Sequence, residues 1–220
     1  MKKVLFTLGI TLGLVLNVNA QIQSLAGPRI GIVLISESPG AAFLNGDLPL
    51  DKFGELPSNY SDITKNAITS LYGWQWESRF ADAGSVTGIV EWIALVAGME
   101  RGKFLPSVSS MVGARTATGL EFAIGPNLSL NGISMVFGAG YTFKSGNLNL
   151  PVNFAFVPGR KETMNIGSEY EYKPVTIDPD GIPNNGDEYF DEEYTLIPAY
   201  TVDYNTGSRF SITLGFNLVK

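Results

Sequence analysis

Apolar and polar residues alternate one by one along most of this chain. Between Phe210 and Leu218 the even positions are Phe210, Ile212, Leu214, Phe216 and Leu218, and the odd ones are Ser211, Thr213, Gly215 and Asn217. A period of two is the signature of a strand with two unlike faces. The same alternation runs through Tyr72–Phe80, Leu120–Leu130, Ile133–Phe143 and Leu148–Val157, and in noisier form through Arg29–Ser36, Val86–Met99 and Phe104–Arg115. Eight strands are predicted. Asn131-Gly132 marks a tight hairpin turn, and Glu100–Lys103, Thr116–Thr118 and Ser145–Asn147 are further short links. Two connections are long, about 37–70 and about 161–206.

The bulky sets are rich in Trp, Tyr, Phe, Leu and Ile, whereas the opposite sets are mostly Gly, Ser, Ala, Asn and Thr. An eight-stranded barrel has an interior only wide enough for side chains. Small residues inside and large apolar ones outside is the arrangement of a transmembrane barrel, the inverse of a soluble one. With the first strand starting on the periplasmic side, both long connections fall on the outer side and the inner turns come out short, as in outer-membrane barrels. The expected fold is all-β: an antiparallel eight-stranded transmembrane β-barrel with two long extracellular loops, its lipid-facing C-terminal strand carrying Phe210, Ile212, Leu214, Phe216 and Leu218.

The N-terminus fits that destination. Lys2 and Lys3 precede an apolar run to about Leu16, and Val18 and Ala20 sit at −3 and −1 before Gln21. This is a signal-peptide pattern, too short for a spanning helix, and it divides the chain into residues 1–20 and a barrel domain, 21–220. Two of the 15 basic residues lie in the first part, leaving 13 against 21 acidic residues, a net charge near −8. That balance argues against nucleic acid as a partner. The chain has no Cys and no His, which removes disulfides, thiolate metal sites and the commonest general base. No phosphate-binding glycine loop or nucleophile elbow is present, and the expectation is a protein that is not an enzyme.

Charged residues interrupt the small-residue faces. By parity Arg29, Glu77, Arg79, Glu91, Arg115, Glu121 and Lys144 point into the lumen, where both signs occur and pairing is expected. A static polar plug is the favoured reading; switchable bridges in a gated pore are the alternative. The 161–206 connection has 11 acidic residues against Lys161 and Lys173, together with Tyr170, Tyr172, Tyr189, Tyr194, Tyr200 and Tyr204. Tyr is a favoured contact residue, so this loop is a candidate surface for other outer-membrane or surface proteins, or else a solvated loop. Within it Asp178, Asp180, Asn184 and Asp187 flank Gly181 in the manner of a calcium loop, although Pro179 and Pro183 intrude. Two readings stay open there: a Ca2+ site, or an acidic loop with no cofactor. Ile63, Ala67, Ile68 and Leu71 recur at helical spacing, so Ser58–Leu71 is either a short amphipathic helix or a plain loop.

The segments Gly73-Trp74-Gln75-Trp76-Glu77, Arg115-Thr116-Ala117-Thr118-Gly119-Leu120-Glu121-Phe122 and Gly140-Tyr141-Thr142-Phe143-Lys144-Ser145-Gly146-Asn147 resemble small outer-membrane β-barrel proteins of Bacteroidetes, and more loosely the eight-stranded OmpA and OmpX type. The resemblance covers about Arg29–Pro158 and the last strand. It implies an outer-membrane location and lipid contact in a Gram-negative bacterium and carries no catalytic residue. One departure is the ending Phe216-Asn217-Leu218-Val219-Lys220, where such barrels often close on an aromatic residue. The function expected is structural, adhesive or that of a complex subunit. The rival is a narrow pore for ions or small solutes, and a third reading is a soluble lipocalin-like carrier of an apolar ligand.

Overall fold

An extended backbone sends successive side chains to opposite faces. Wherever the sequence alternates, the computed structural model has a strand. It describes residues 25–48, 56, 65–145, 148–182, 185–186 and 189–218. Residues 1–20, expected as a signal segment, residues 49–55 and 57–64 of the first long connection, and Asn184 and Asp187 lie outside the described residues. Seven strands follow one another as β1 (Leu25–Ile35), β2 (Ala67–Asp82), β3 (Val86–Ala97), β4 (Leu105–Thr116), β5 (Leu120–Ser129), β6 (Gly132–Ser145) and β7 (Leu148–Val157). Each pairs antiparallel with the next. The eighth barrel strand, β12 (Arg209–Gly215), pairs with β7 on one side and β1 on the other, from Arg29↔Gly215 to Ile35↔Arg209, and so closes the ring. A two-residue continuation, β13 (Asn217–Leu218), stays on β7.

The apolar sets point outward. Ile30, Ile32, Leu34, Trp74, Trp76, Phe122, Ile124, Phe137 and Phe154 are exposed, as are Phe210, Ile212, Leu214 and Phe216 of the last strand, and Trp92 is 54% exposed where Arg29 is 1% exposed. Side chains of the opposite parity fill a narrow interior in two tiers. The end with short connections (Ala83–Ser85 and Ala117–Gly119) holds polar and charged groups. The middle and the opposite end are lined by Val33, Ile35, Met111, Val136 and Val157. The lumen is therefore not filled by polar groups throughout. Strands with an apolar inner face are apolar on both sides, which is why alternation is noisy in β1, β3 and β4. Packing is tight enough that a Cβ on Gly125 would lie 1.9 Å from the Ser110 carbonyl oxygen.

The segment Ser58–Leu71, expected as a short helix or a plain loop, is neither at its end, and residues 58–64 lie outside the described residues. Ala67–Leu71 belong to β2, and the helix α1 is Pro39–Asn45. Ser38 caps it by accepting from the Ala41 N–H, Pro39 opens the first turn, and Gly46 ends it with φ +77°. Ala41, Ala42 and Leu44 are buried, and Ala41 and Leu44 pack with Val33, Ile35, Ala67, Leu71 and Ala97, stoppering the barrel at its long-connection end.

The second long connection is a β-ribbon rather than an irregular loop. β8 (Lys161–Ile166) pairs with β11 (Tyr200–Asn205), and β9 (Glu169–Ile177) with β10 (Tyr189–Ile197). The pairs Leu148↔Leu218, Val157↔Arg209, Lys161↔Asn205, Ile166↔Tyr200 and Ile177↔Tyr189 share one register. The last barrel hairpin thus continues outward without gaining or losing a residue. Ile166 and Val202 pack on Leu56, bringing the ribbon base against the first long connection.

Truncating the helix anchor tests the stopper. Leu44→Ala is expected to cost about 2–5 kcal/mol in equilibrium urea unfolding of the folded barrel, because it leaves a cavity against Val33 and Leu71.

Candidate functional site

The interior of the short-connection end is built by strand parity. Arg29 on β1, Gln75 and Glu77 on β2, Glu91 on β3, Arg115 on β4, Glu121 on β5 and Thr142 on β6 all face inward and are buried. Glu77 and Glu91 are register partners, so two carboxylates stand side by side on adjacent strands. Like charges in that position repel, and each is held by a different donor. Arg115 forks onto Glu77, with Nη1 donating at 2.6 Å to Oε1 and Nη2 donating to Oε2, while its Nε donates at 2.7 Å to Glu121. Thr142 donates to the same Glu121 oxygen. Gln75 links the second branch: its amide donates to Glu91 and its carbonyl oxygen accepts from Arg29 Nε at 2.9 Å. The Arg29 guanidinium occupies the space where a side chain at position 215 would begin, since a Cβ on Gly215 would lie 2.1 Å from Arg29 Nη1. A side chain there would displace the Arg29 guanidinium from its present place.

Five of the seven expected lumen charges come together in this way. Arg79 is half-buried two residues beyond Glu77 on the same face of β2, nearer the barrel end, and Lys144 lies exposed at the end of β6, outside the cluster. Gln75, Thr142 and Arg209 were not singled out by sequence reasoning, although their parity with Glu77, Gly140 and Thr213 places them inward. The carboxylates are engaged by arginine, amide and hydroxyl donors, an arrangement suited to holding charge still rather than to moving protons.

At the opposite rim, Glu100 sits in the turn between β3 and β4. Its carboxylate accepts from the Ser70 and Thr69 hydroxyls and from the Ser70 N–H at 3.1 Å. These donors, Ser70 foremost, hold its pKa down to about 2 against an ordinary 4.5. The ribbon root is clamped from both sides. Ser36 N–H donates to Ser208 O at 2.9 Å, Ser208 N–H donates to Ser36 Oγ at 2.8 Å, and Asn131 Nδ2 donates to Thr206 O at 3.0 Å. Arg160 donates to Asn131 O at 3.0 Å and to Ile133 O, and its Nε donates to Glu162 at 2.6 Å. The expected Asn131-Gly132 turn is centred one residue earlier, on Leu130 and Asn131, with Gly132 at φ +84° beginning β6.

Farther out, β9 and β10 present two unlike faces. Tyr170, Tyr172, Tyr194 and Leu196 are exposed on one, with Tyr172 and Tyr194 in register and their rings 5.8 Å apart. Glu169, Glu171, Lys173 and Asp191 take the opposite parity. Near the tip, Asp178 accepts from the Gly181 N–H at 2.9 Å, and Asp180 accepts from the Ile182 N–H at 2.9 Å and from Asn185 Nδ2 at 2.8 Å. These two carboxylates serve the turn itself. Among the described residues no three acidic or other ligating side chains converge as a metal site.

Comparison of the chain with models of known protein families and with curated proteins finds no match.

Two measurements probe these arrangements. Arg115→Met strands Glu77 and Glu121 in the lumen, and urea unfolding is expected to show a loss of about 3–5 kcal/mol, most of it recovered when Glu77 and Glu121 become Gln in the same chain. At the rim, the Glu100 contribution is present above the ordinary carboxylate pKa of 4.5 and fades as pH falls from there toward about 2. The protection factor of the Ser70 amide, exchange taken relative to its intrinsic rate at each pH, is expected to fall over that interval, and in Glu100→Gln to stay level.

Proposed function

We propose that this protein is a non-enzymatic β-barrel of a bacterial outer membrane, exported through residues 1–20, with a closed lumen and a structural or adhesive role exercised through its projecting ribbon. The observation that carries this reading is the inside-out side-chain distribution of a closed eight-stranded barrel. Its large aromatic and aliphatic residues face outward around the ring, while arginine and glutamate are buried within. Hydrocarbon is the solvent in which such a wall is favourable and in which every backbone polar group must be satisfied by closure. The resemblance to small Bacteroidetes barrels points the same way.

Two features favour a closed barrel over a pore. The charge cluster spans six strands at one end, and α1 with the apolar tier occupies the other. The soluble-carrier reading is disfavoured because its large aromatic side chains would have to turn inward, whereas here Trp74, Trp76, Trp92, Phe122, Phe137 and Phe154 face outward. For the adhesive role the support is the ribbon, a rigidly rooted element with an exposed tyrosine face and an acidic reverse. Tyrosine supplies large contact area at small entropic cost.

All three tryptophans, Trp74, Trp76 and Trp92, face outward. In the chain refolded into vesicles whose acyl chains carry bromine, their fluorescence is expected to be strongly quenched. Emission unchanged from that in unbrominated vesicles would reject lipid contact. Planar-bilayer recordings of the same material are expected to show no steady single-channel current; a steady current altered by Arg115→Met would move the pore reading to the front.

A further inference from the structure

Arg209 stands apart from the charge cluster. It is the first residue of β12, faces inward on the parity of Ser211 and Thr213, and pairs across the ladders with Val157 and Ile35, both buried and aliphatic. Its Nη2 donates at 2.9 Å to Asn127 Oδ1, a neutral acceptor, and its Nε is buried with no hydrogen-bond partner. Among the described residues no carboxylate reaches it, and the charge that acts on it is a second cation, Arg160. Arg209 is half-buried, and a guanidinium so placed, with a cation and no counter-charge beside it, is destabilised in a way that an anion in the adjoining space would relieve.

There is such a space. A cavity of about 100 Å3 lies in the long-connection half of the lumen, with Arg209 in its wall. Its lining is two-sided. Val33, Ile35, Leu71, Leu95, Val136 and Val157 make the aliphatic side. Ser109, Asn127 and Ser211 join Arg209 on the other. Asn127 Nδ2 donates to Ser109 Oγ at 2.9 Å, which leaves the Ser109 proton available to a second acceptor. The rim is formed by Gly40 of α1 and by Leu130 and Asn131 of the β5–β6 turn.

We propose that this cavity binds a small aliphatic monocarboxylate. The carboxylate pairs with Arg209 and accepts from Ser109, and its hydrocarbon part lies against the aliphatic side. Size sets the class: an apolar cavity of about 150 Å3 accepts the six carbons of benzene, so about 100 Å3 takes about four heavy atoms, enough for the hydrocarbon part of a chain of about three or four carbons whose carboxylate lies at Arg209. A multiply charged, compact anion such as phosphate would bring its charge against an aliphatic wall with too few donors to replace its water. The site does not depend on the membrane reading, since it is defined by the barrel interior alone.

The test uses the full folded barrel in detergent, isotopically labelled, with butyrate as the probe. Saturable shifts of the Arg209 Nε–H and of the Val157 and Val136 amides are expected, with a dissociation constant on the order of 1 mM for so small a ligand. Butanol and inorganic phosphate should each bind at least about tenfold more weakly. Arg209→Met should abolish the shifts at Val157 while the heat-dependent gel mobility of a folded barrel is retained. Should that variant fail to fold, Ala155→Leu, which fills the cavity and leaves Arg209 in place, must also lose binding. The proposal is overturned by non-saturable butyrate shifts, by phosphate or butanol binding as tightly as butyrate, or by either folded variant binding like the parent. Bromine quenching of the tryptophans is read separately, so lipid contact and the carboxylate site stand or fall independently.

Discussion

Closure of eight strands into a ring is the constraint from which the rest follows. The pairing of β1 with β12 joins residues as far apart in sequence as Arg29 and Gly215, and it leaves a lumen only wide enough for side chains. In so narrow a space no inward residue can be both large and unaccommodated. Glycine at 215 makes room for the Arg29 guanidinium, and the two neighbouring carboxylates of Glu77 and Glu91 coexist because separate donors reach each of them. The same narrowness sends the large aromatic residues outward. What faces in and what faces out are thus one decision, taken by strand parity and enforced by volume.

Division of the lumen into two tiers has its own logic. Guanidinium, amide and hydroxyl donors at the short-connection end bind strands β1 to β6 to one another through side chains, in addition to their backbone ladders. At the other end the helix α1 supplies apolar atoms that the strands lack, and its burial fixes the beginning of the first long connection. Polar specificity holds one end in register, and packing closes the other.

Much of this was legible in the sequence. The eight strands appeared because most of them have unlike faces, and the cluster of Arg29, Glu77, Glu91, Arg115 and Glu121 appeared because charge on a small-residue face is conspicuous. Legibility failed where that contrast fades. Val33, Ile35 and Met111 are inward yet apolar, so their strands read as noisy alternation. Helix α1 is only seven residues, too short for a helical period, although Ser38, Pro39 and Gly46 carried its start and stop signals. The ribbon strands are polar on much of both faces. The alternation Glu169-Tyr170-Glu171-Tyr172 was a usable sign of β9, hidden by the acidity of the surrounding segment. Arg209 lies one residue before the clearest alternating run of the chain, and its position was missed for that reason alone.

The unbroken register from Leu148↔Leu218 to Ile177↔Tyr189 also has a mechanical meaning. The strand pairing pauses at 158–160 and 206–208 but the register is kept, so the ribbon's two arms continue β7 and β12 directly. A load at the tip directed away from the barrel pulls both arms together and is resisted where β7 lies along β6 and β12 lies along β1. Those ladders are then loaded in shear, with many hydrogen bonds sharing the force, instead of being unzipped one at a time. An element built this way would pass a load applied at its tip into the wall of the barrel without first coming apart.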